Sequence, residues 1–501
     1  MLGPTKCRAL GDPVTVALDD LVPADLFYRH LDAHLDLSFI RDWVADAYPS
    51  IGRPSVDPVV VFKLYLVMVF EGIRSERQLL MLAADRLSVR WYLGYALDEP
   101  LPDAATLTRL RQRLGLPFFR RFFEHVVDLC VAAGLVWGQE LVADATRVPA
   151  NADIDSLVPR LRVVVDDKLV AVFDGDTAPA EANDDDADAP ARWNLLDACR
   201  LDPQRPATGS YERISSRKIS RTDPDATPMA MRDGRSVLGY QDHYLVDGGR
   251  ARIILHAFVT PGEVSESQVL IDQLRRTLFR RKLRPARLIA DAKYGTGPNV
   301  RAIEELGIRA FVPLYDSDTA TPVYHHTLFT YDAERDVMRC PQGTELKFRH
   351  RDDAAERWLY RAPASVCNAC ECKAACTTST QGRLVGRSFH ADYLERVRAY
   401  ADTPAYQKAM RKRSVWIEPL FAEAKDWHGL RRFRLRGLAN VNIEALLVAS
   451  VQNLKRWMAA TGRGRRWGPA GALSAPSKLR IGLGLAGHVL VCGSLHGCDA
   501  R

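Results

Sequence analysis

"LVADAT", Leu141 to Thr146, is answered further along the chain by "LIADAK", Leu288 to Lys293. In each copy, apolar residues dictate a buried strand, and an aspartate, Asp144 or Asp291, emerges at its carboxyl end. Strands of this kind belong to the interior of an α/β sheet, whose carboxyl ends are where ligand sites gather. If the two strands are neighbours, two carboxylates converge. Like charges that close are unfavourable unless a cation lies between them or one carboxyl keeps its proton. Hard oxygen donors of this type select Mg²⁺ or Mn²⁺.

Outward from these strands the pattern is legible in blocks. "QELVADATRVPA" reads as a strand ending near Pro149, and a polar stretch from about 151 to 235, rich in Asp, Arg, Pro and Ser, reads as a surface insertion of low order. "VLGYQDHYLVDGGRARIILHAFVTPG" then predicts two strands joined by the turn "DGGR". A basic amphipathic helix, "SQVLIDQLRRTLFRRK", leads to the second aspartate strand. Three strands, a helix and a fourth strand make a mixed α/β core.

Residues 20 to 130 read as helical, with Gly72 as a break, Ser75 as an N-cap, and Asp103 or Thr106 capping a third helix. The exposed face of that third helix is expected to hold Arg109, Arg111 and Arg113, which suits a DNA-binding module. Residues 316 to 395 are irregular and carry the cysteines, helical periodicity returns from Thr403, and a Gly- and Arg-rich tail begins at 461.

The later helical region opens with "SVWIEPLFAEAKDWHGLRRFRLRG", Ser414 to Gly437, which supplies a third carboxylate. Glu418 and Lys425 are seven residues apart, almost two helical turns, and so share a face. Glu423 points roughly 140° away from Glu418. Pro419 predicts a helix start or a bend at Glu418, and Gly429 a C-cap. Arg431, Arg432, Arg434 and Arg436 follow as a basic strip suited to phosphates. Trp416 and Trp427 read as packing aromatics, His243 as a strand residue, and His325, His326 and His428 as surface residues.

At 501 residues the chain exceeds one ordinary core. Its 47% hydrophobic and 26% charged residues are globular, no window approaches eighteen uninterrupted apolar residues, and the first twenty residues lack a basic segment followed by a long apolar core. An unexported cytoplasmic protein without membrane partners is expected. The net charge of +7 is mild, but basic residues cluster, and those local surfaces could meet a polyanion. Ten cysteines in such a chain argue against a disulfide framework. Cys340 with "CNACECKAAC" offers Cys367, Cys370, Cys372 and Cys376, of which Cys340, Cys367, Cys370 and Cys376 form a candidate Zn²⁺ set.

The two aspartate strands, "ADAKYG", and "IEPLFAEAKDWHGLRRFRLRG" closing the core together resemble the DDE-superfamily transposases of bacterial insertion sequences. The N-terminal "DPVVVFKLYLVMVFEGIRSERQLL" and "LGYALDEPLPDAATLTRLRQRLG" resemble their helical N-terminal domain. The resemblance implies an RNase H-like core with Asp144, Asp291 and Glu418 as catalytic residues holding two Mg²⁺ (or Mn²⁺) ions. It implies that Lys425 touches DNA near the cleaved end. Some relatives also carry a Tyr seven and an Arg four residues before the Glu; here those positions hold Arg411 and Ser414, with Arg413 one residue away. The partners implied are double-stranded DNA, as element ends and target, and further copies of the chain, with the protein on the nucleoid when bound. The organisation expected is a helical DNA-binding domain at 20–130, core at 138–315, cysteine insertion at 316–395, closing helix at 396–460 and a weakly ordered tail at 461–501. A metal-dependent nuclease, or a repurposed transposase that binds DNA without cutting it, are the alternative readings.

Overall fold

The computed structural model describes residues 15–45, 48, 55–159, 218–231, 233–314 and 323–461. The expected tail and most of the expected insert, 160–217, lie outside these residues.

The N-terminal part is helical: α1 (Leu18–Leu21), α2 (Phe27–His34), α3 (Phe39–Val44), α4 (Pro58–Phe70), α5 (Glu76–Asp85), α6 (Leu87–Leu93) and α7 (Ala104–Ala132). Asp57 caps α4 by accepting from the Val59 N–H, and Pro58 fills its first turn. Lys63 is the single charge in α4, so the helix has no polar face and is buried on nearly every side. Ser75 caps α5 and Asp103 caps α7, as the sequence predicts. The third helix of the sequence reading is much longer than expected, because α7 carries on past a kink at Gly115 and Pro117 to Ala132. Its far half packs against the helix Leu438–Ala460, so the N-terminal helices and the sheet share one continuous hydrophobic core.

The main sheet contains β1 (Glu140–Pro149), β4 (Thr227–Ala230), β5 (Ser236–Asp247), β6 (Ile254–Pro261), β7 (Arg287–Ile289) and β8 (Arg309–Phe311). β6, β5 and β1 pair antiparallel, while β1, β7 and β8 pair parallel. β4 continues the edge beyond β6 along β5. This is the RNase H-like arrangement. Two features depart from the sequence reading. Thr227–Ala230 is a sheet strand inside the stretch read as insertion, and β2 (Leu157–Pro159) pairs with β3 (Lys218–Ser220) across residues 160–217. Short polar strands of three or four residues give too little alternation to be seen.

α8 (Glu266–Arg281) connects β6 to β7, and α9 (Gly297–Glu305) connects β7 to β8. After β8 comes a five-stranded antiparallel meander of β9 (Thr330–Asp332), β10 (Val337–Arg339), β11 (Glu345–Asp352), β12 (Arg357–Arg361) and β13 (Leu384–Ser388), with its own small core. Two short helices, α10 (Ala364–Asn368) and α11 (Lys373–Cys376), lie in the cysteine segment between β12 and β13. The chain returns through α12 (Ala391–Ala401), α13 (Pro404–Trp427) and α14 (Leu438–Ala460).

α13 begins at Pro404 under a Thr403 cap, so Pro419 is internal and neither starts nor ends the helix. Its missing N–H leaves the Val415 carbonyl without its helical donor. Arg252 Nη1 approaches that oxygen at 3.4 Å. α14 closes the free edge of β6 through two buried amides. Asn442 both accepts from the Val259 N–H (2.8 Å) and donates to its carbonyl (2.9 Å), and Asn453 does the same for Ile254 (2.9 and 2.8 Å). Eleven residues of helix and five of strand each rise about 16.5 Å, so the two amides match the two edge positions.

Candidate active site

Asp144 does not end its strand; it is the fifth of the ten residues of β1. The parallel partner β7 is short and its pairing stops at Val142–Ile289, so Asp144 lies just beyond the level where β7 gives out. Asp291 lies two residues past the end of β7 and caps a 3₁₀ turn by accepting from the Lys293 N–H at 2.9 Å. A crevice at that level is what the parallel half of the sheet dictates. Here the structure brings Asp144 and Asp291 together, and with them Glu266, the first residue of α8. One carboxylate oxygen from each lies within 4.8 Å of the other two, the only such group of potential metal ligands among the described residues.

The electrostatics suit a cation. Burial pushes the Asp144 carboxyl up to about 6, the charges of Asp291 and Glu266 add to that, and Arg413 pulls the other way. Arg413 Nη1 donates to Asp144 Oδ2 at 3.0 Å, and Oδ1 accepts from the Ala145 N–H. Burial also raises Glu266, against its bond from Lys293. Three carboxylates with hard oxygens, partly buried and short of positive charge, fit a divalent ion such as Mg²⁺ or Mn²⁺.

Helix α13 lies along β1. Lys412 donates to Glu140 (2.5 Å), Arg413 to Asp144, and Lys425 Nζ to the Thr146 hydroxyl (2.6 Å). Glu418 stands between Arg413 and Lys425 on this helix; it is exposed and is not in the carboxylate group. Glu423 faces the opposite way, into α14. Burial pushes its carboxyl up, yet the nearby His428 imidazole (Nε2 at 3.6 Å) and the charges of Arg456 and Lys455 hold it far below the usual carboxylate range. Lys455 and Arg456 reach it at 2.6 and 2.8 Å. The helical spacing therefore separates the two glutamates as expected.

The basic strip divides. Arg431, Arg432 and Arg436 are exposed; Arg431 pairs with Asp426, and the other two donate from Nε to the backbone carbonyls of Ala150 and Asn151. Arg434 turns inward to Glu76, which also holds the buried Arg111. Neither Arg434 nor Arg111 lies on the exposed basic face expected of it, because the half-buried Glu76 carboxylate on α5 claims both. Arg109 is exposed, and Arg113 lies over the Tyr48 ring. His428 is a second correction: it is buried, with Nδ1 2.9 Å from the Val69 carbonyl, tying the end of α13 to α4. Trp427 is exposed instead of packed, whereas Trp416 donates to the Gly249 carbonyl.

Two acidic residues escaped sequence reasoning. Glu266 follows a legible Ser265–Gln268 capping box, but its destination depends on where α8 starts against the sheet. Asp242 lies opposite Thr146 in the β1–β5 ladder, fully buried, with neither oxygen hydrogen-bonded. Burial pushes its carboxyl up to about 8, against the charge of Lys425.

In the meander, Cys340, Cys367, Cys370, Cys372 and Cys376 line one cavity of about 340 Å³. All five thiols are free, and no three of them approach within 4.8 Å.

A family profile described as "Transposase domain (DUF772)" matches residues 16–113, and one described as "Transposase DDE domain" matches residues 339–458, which include Glu418 and Lys425. Both profiles are of transposases, and over these residues the chain is similar to them. No curated protein matches the chain. Among solved structures it is similar to the "Mos1 transposase paired-end complex with left transposon end", at 12% identity, with 58% of this chain and 71% of that chain covered. The TM-score of 0.16 is too low to bear on the fold. Among the described residues no helix is long and apolar enough to cross a membrane.

Proposed function

We propose that this transposase binds the ends of an insertion element as a homo-oligomer, nicks them, and joins the freed 3′-hydroxyl to target DNA. The observation that carries the reading is the convergence of Asp144 and Asp291 where β7 ends, under a helix that bears Glu418 between two cations reaching β1. Asp144 and Asp291 hold the divalent ions, and Glu418 joins them from α13. Two such ions, when bound, supply a polarised attacking oxygen and a stabilised leaving oxygen for in-line phosphoryl transfer.

The protein's own groups do the rest. Arg413 neutralises Asp144 and keeps its carboxylate charged before metal arrives. Lys425, seated on the Thr146 hydroxyl beside the crevice, is within a side chain's swing of a phosphate there. Arg431, Arg432 and Arg436 are exposed in the segment that follows α13 and add salt-sensitive, sequence-independent grip. Residues 20–130 contribute the helical DNA-binding region. Cys340, Cys367, Cys370 and Cys376 close on a structural Zn²⁺ from the walls of their cavity.

Purified protein with Mg²⁺ and labelled DNA carrying the inverted repeats that flank its gene tests this reading. Cleavage at the repeat ends followed by strand joining is expected. Cleavage without joining would make the chain a nuclease, and binding without cleavage a repurposed transposase.

A further inference from the structure

Glu266 has no part in the mechanism above. The Ser265–Gln268 capping box fixes it as the first residue of α8, and it is 5% exposed. Lys293 Nζ donates to its Oε1 at 2.7 Å. Oε2 is buried without a hydrogen-bond partner. The glutamate contributes one of the three mutually close carboxylates of the crevice.

We propose that Glu266 is a third resident ligand for the divalent cation, beside Asp144 and Asp291, with Lys293 as its counter-ion until the cation binds. This rests on the reading of the crevice as a metal site. A glutamate in a first helical turn gains from the helix dipole, but it gains that while hydrated. Burying a carboxylate costs several kcal/mol unless its oxygens are met, and a lone ammonium meets one of them. The Lys293 side chain is 55% exposed, so it can leave the pair towards solvent, whereas Glu266 cannot. A cation between the three carboxylates satisfies the second oxygen and relieves the repulsion that Lys293 offsets only in part. Glu266 also approaches from α8, on a different element from β1, the β7 end and α13, so the three-carboxylate group does not depend on Glu418.

Binding of Mn²⁺ to the full chain without DNA, followed by the electron paramagnetic resonance signal of the free ion, tests this. Glu266→Gln is expected to weaken Mn²⁺ binding tenfold or more, as Asp144→Asn does. Lys293→Gln is expected to bind Mn²⁺ at least as tightly as the parent chain, because it removes the competing cation. Wild-type binding by Glu266→Gln together with loss in Asp144→Asn overturns the proposal and leaves the two-aspartate site standing. Wild-type binding by both removes the metal site itself. Should Glu266→Gln fail to fold, Lys293→Gln decides: weakened binding there marks the pair as structural and overturns the proposal.

Discussion

At the scale of single residues, two glutamates five positions apart on α13 answer to different physics. Glu423 is half-buried and paired with Lys455 and Arg456, so Glu423→Gln leaves those two cations uncompensated. A loss of about 2–4 kcal/mol is expected, read by denaturant unfolding. Glu418 is exposed, so Glu418→Gln should unfold within about 0.5 kcal/mol of the parent while losing cleavage by a factor on the order of 10³. Parent-like cleavage by Glu418→Gln would take it out of the catalytic set. Asp242 makes a pH prediction. Its folded carboxyl is raised to about 8, so the native state holds a proton that the unfolded chain releases near 4. Its contribution to stability is full below about pH 4 and is lost as pH rises towards about 8. Lys425 and Tyr244 are the groups that face it. Asp242→Asn should flatten that decline and leave the protein at least about 1 kcal/mol more stable at pH 8, measured by unfolding across pH.

At the scale of elements, what matters is how loops and helix ends are tied. The turn after α4 meets the end of α13 closely: a Cβ on Gly72, whose φ is +64°, would stand 2.8 Å from the Trp427 carbonyl. Arg74 also donates to the Gly429 and Arg432 carbonyls. Gly72→Ala should therefore cost about 1–3 kcal/mol and loosen the clamp that sets α13 against β1, seen as a lower unfolding midpoint. The basic strip gives a paired expectation. Arg434→Ala removes a partner of Glu76 and should lower stability. Arg432→Ala with Arg436→Ala should instead flatten the salt dependence of DNA binding by roughly one to two units of slope. Salt dependence unchanged in the second variant would remove that strip from the DNA interface.

At the scale of the whole molecule, the N-terminal helices are not a detachable reader. α4 and α7 share the core with α14, which in turn closes the β6 edge through Asn442 and Asn453. A chain lacking residues 16–113 should be insoluble or lose its cooperative unfolding, because it exposes the apolar α14 face. The meander has a core of its own, so its thiols can be tested apart from catalysis. Metal analysis of the purified chain should find one zinc per chain in addition to any ion at the carboxylates. Alanine at Cys367 and Cys370 should abolish it.

The sequence by itself determined the α/β core, the helical N-terminal region, the order of strands around "LVADAT" and "LIADAK", and the separation of Glu418 from Glu423. Each of these rests on local periodicity or on the fixed angle per helical residue, which the chain carries wherever it folds. Only tertiary structure decided that Asp144 lies beside a gap in the sheet, since that depends on how early β7 stops. It also decided that Glu266 joins the two aspartates, that Arg434 and Arg111 turn inward to Glu76, and that His428 is interior. These are contacts between segments far apart in sequence. Which buried carboxylate claims which arginine is set by packing geometry, and composition and spacing do not contain it.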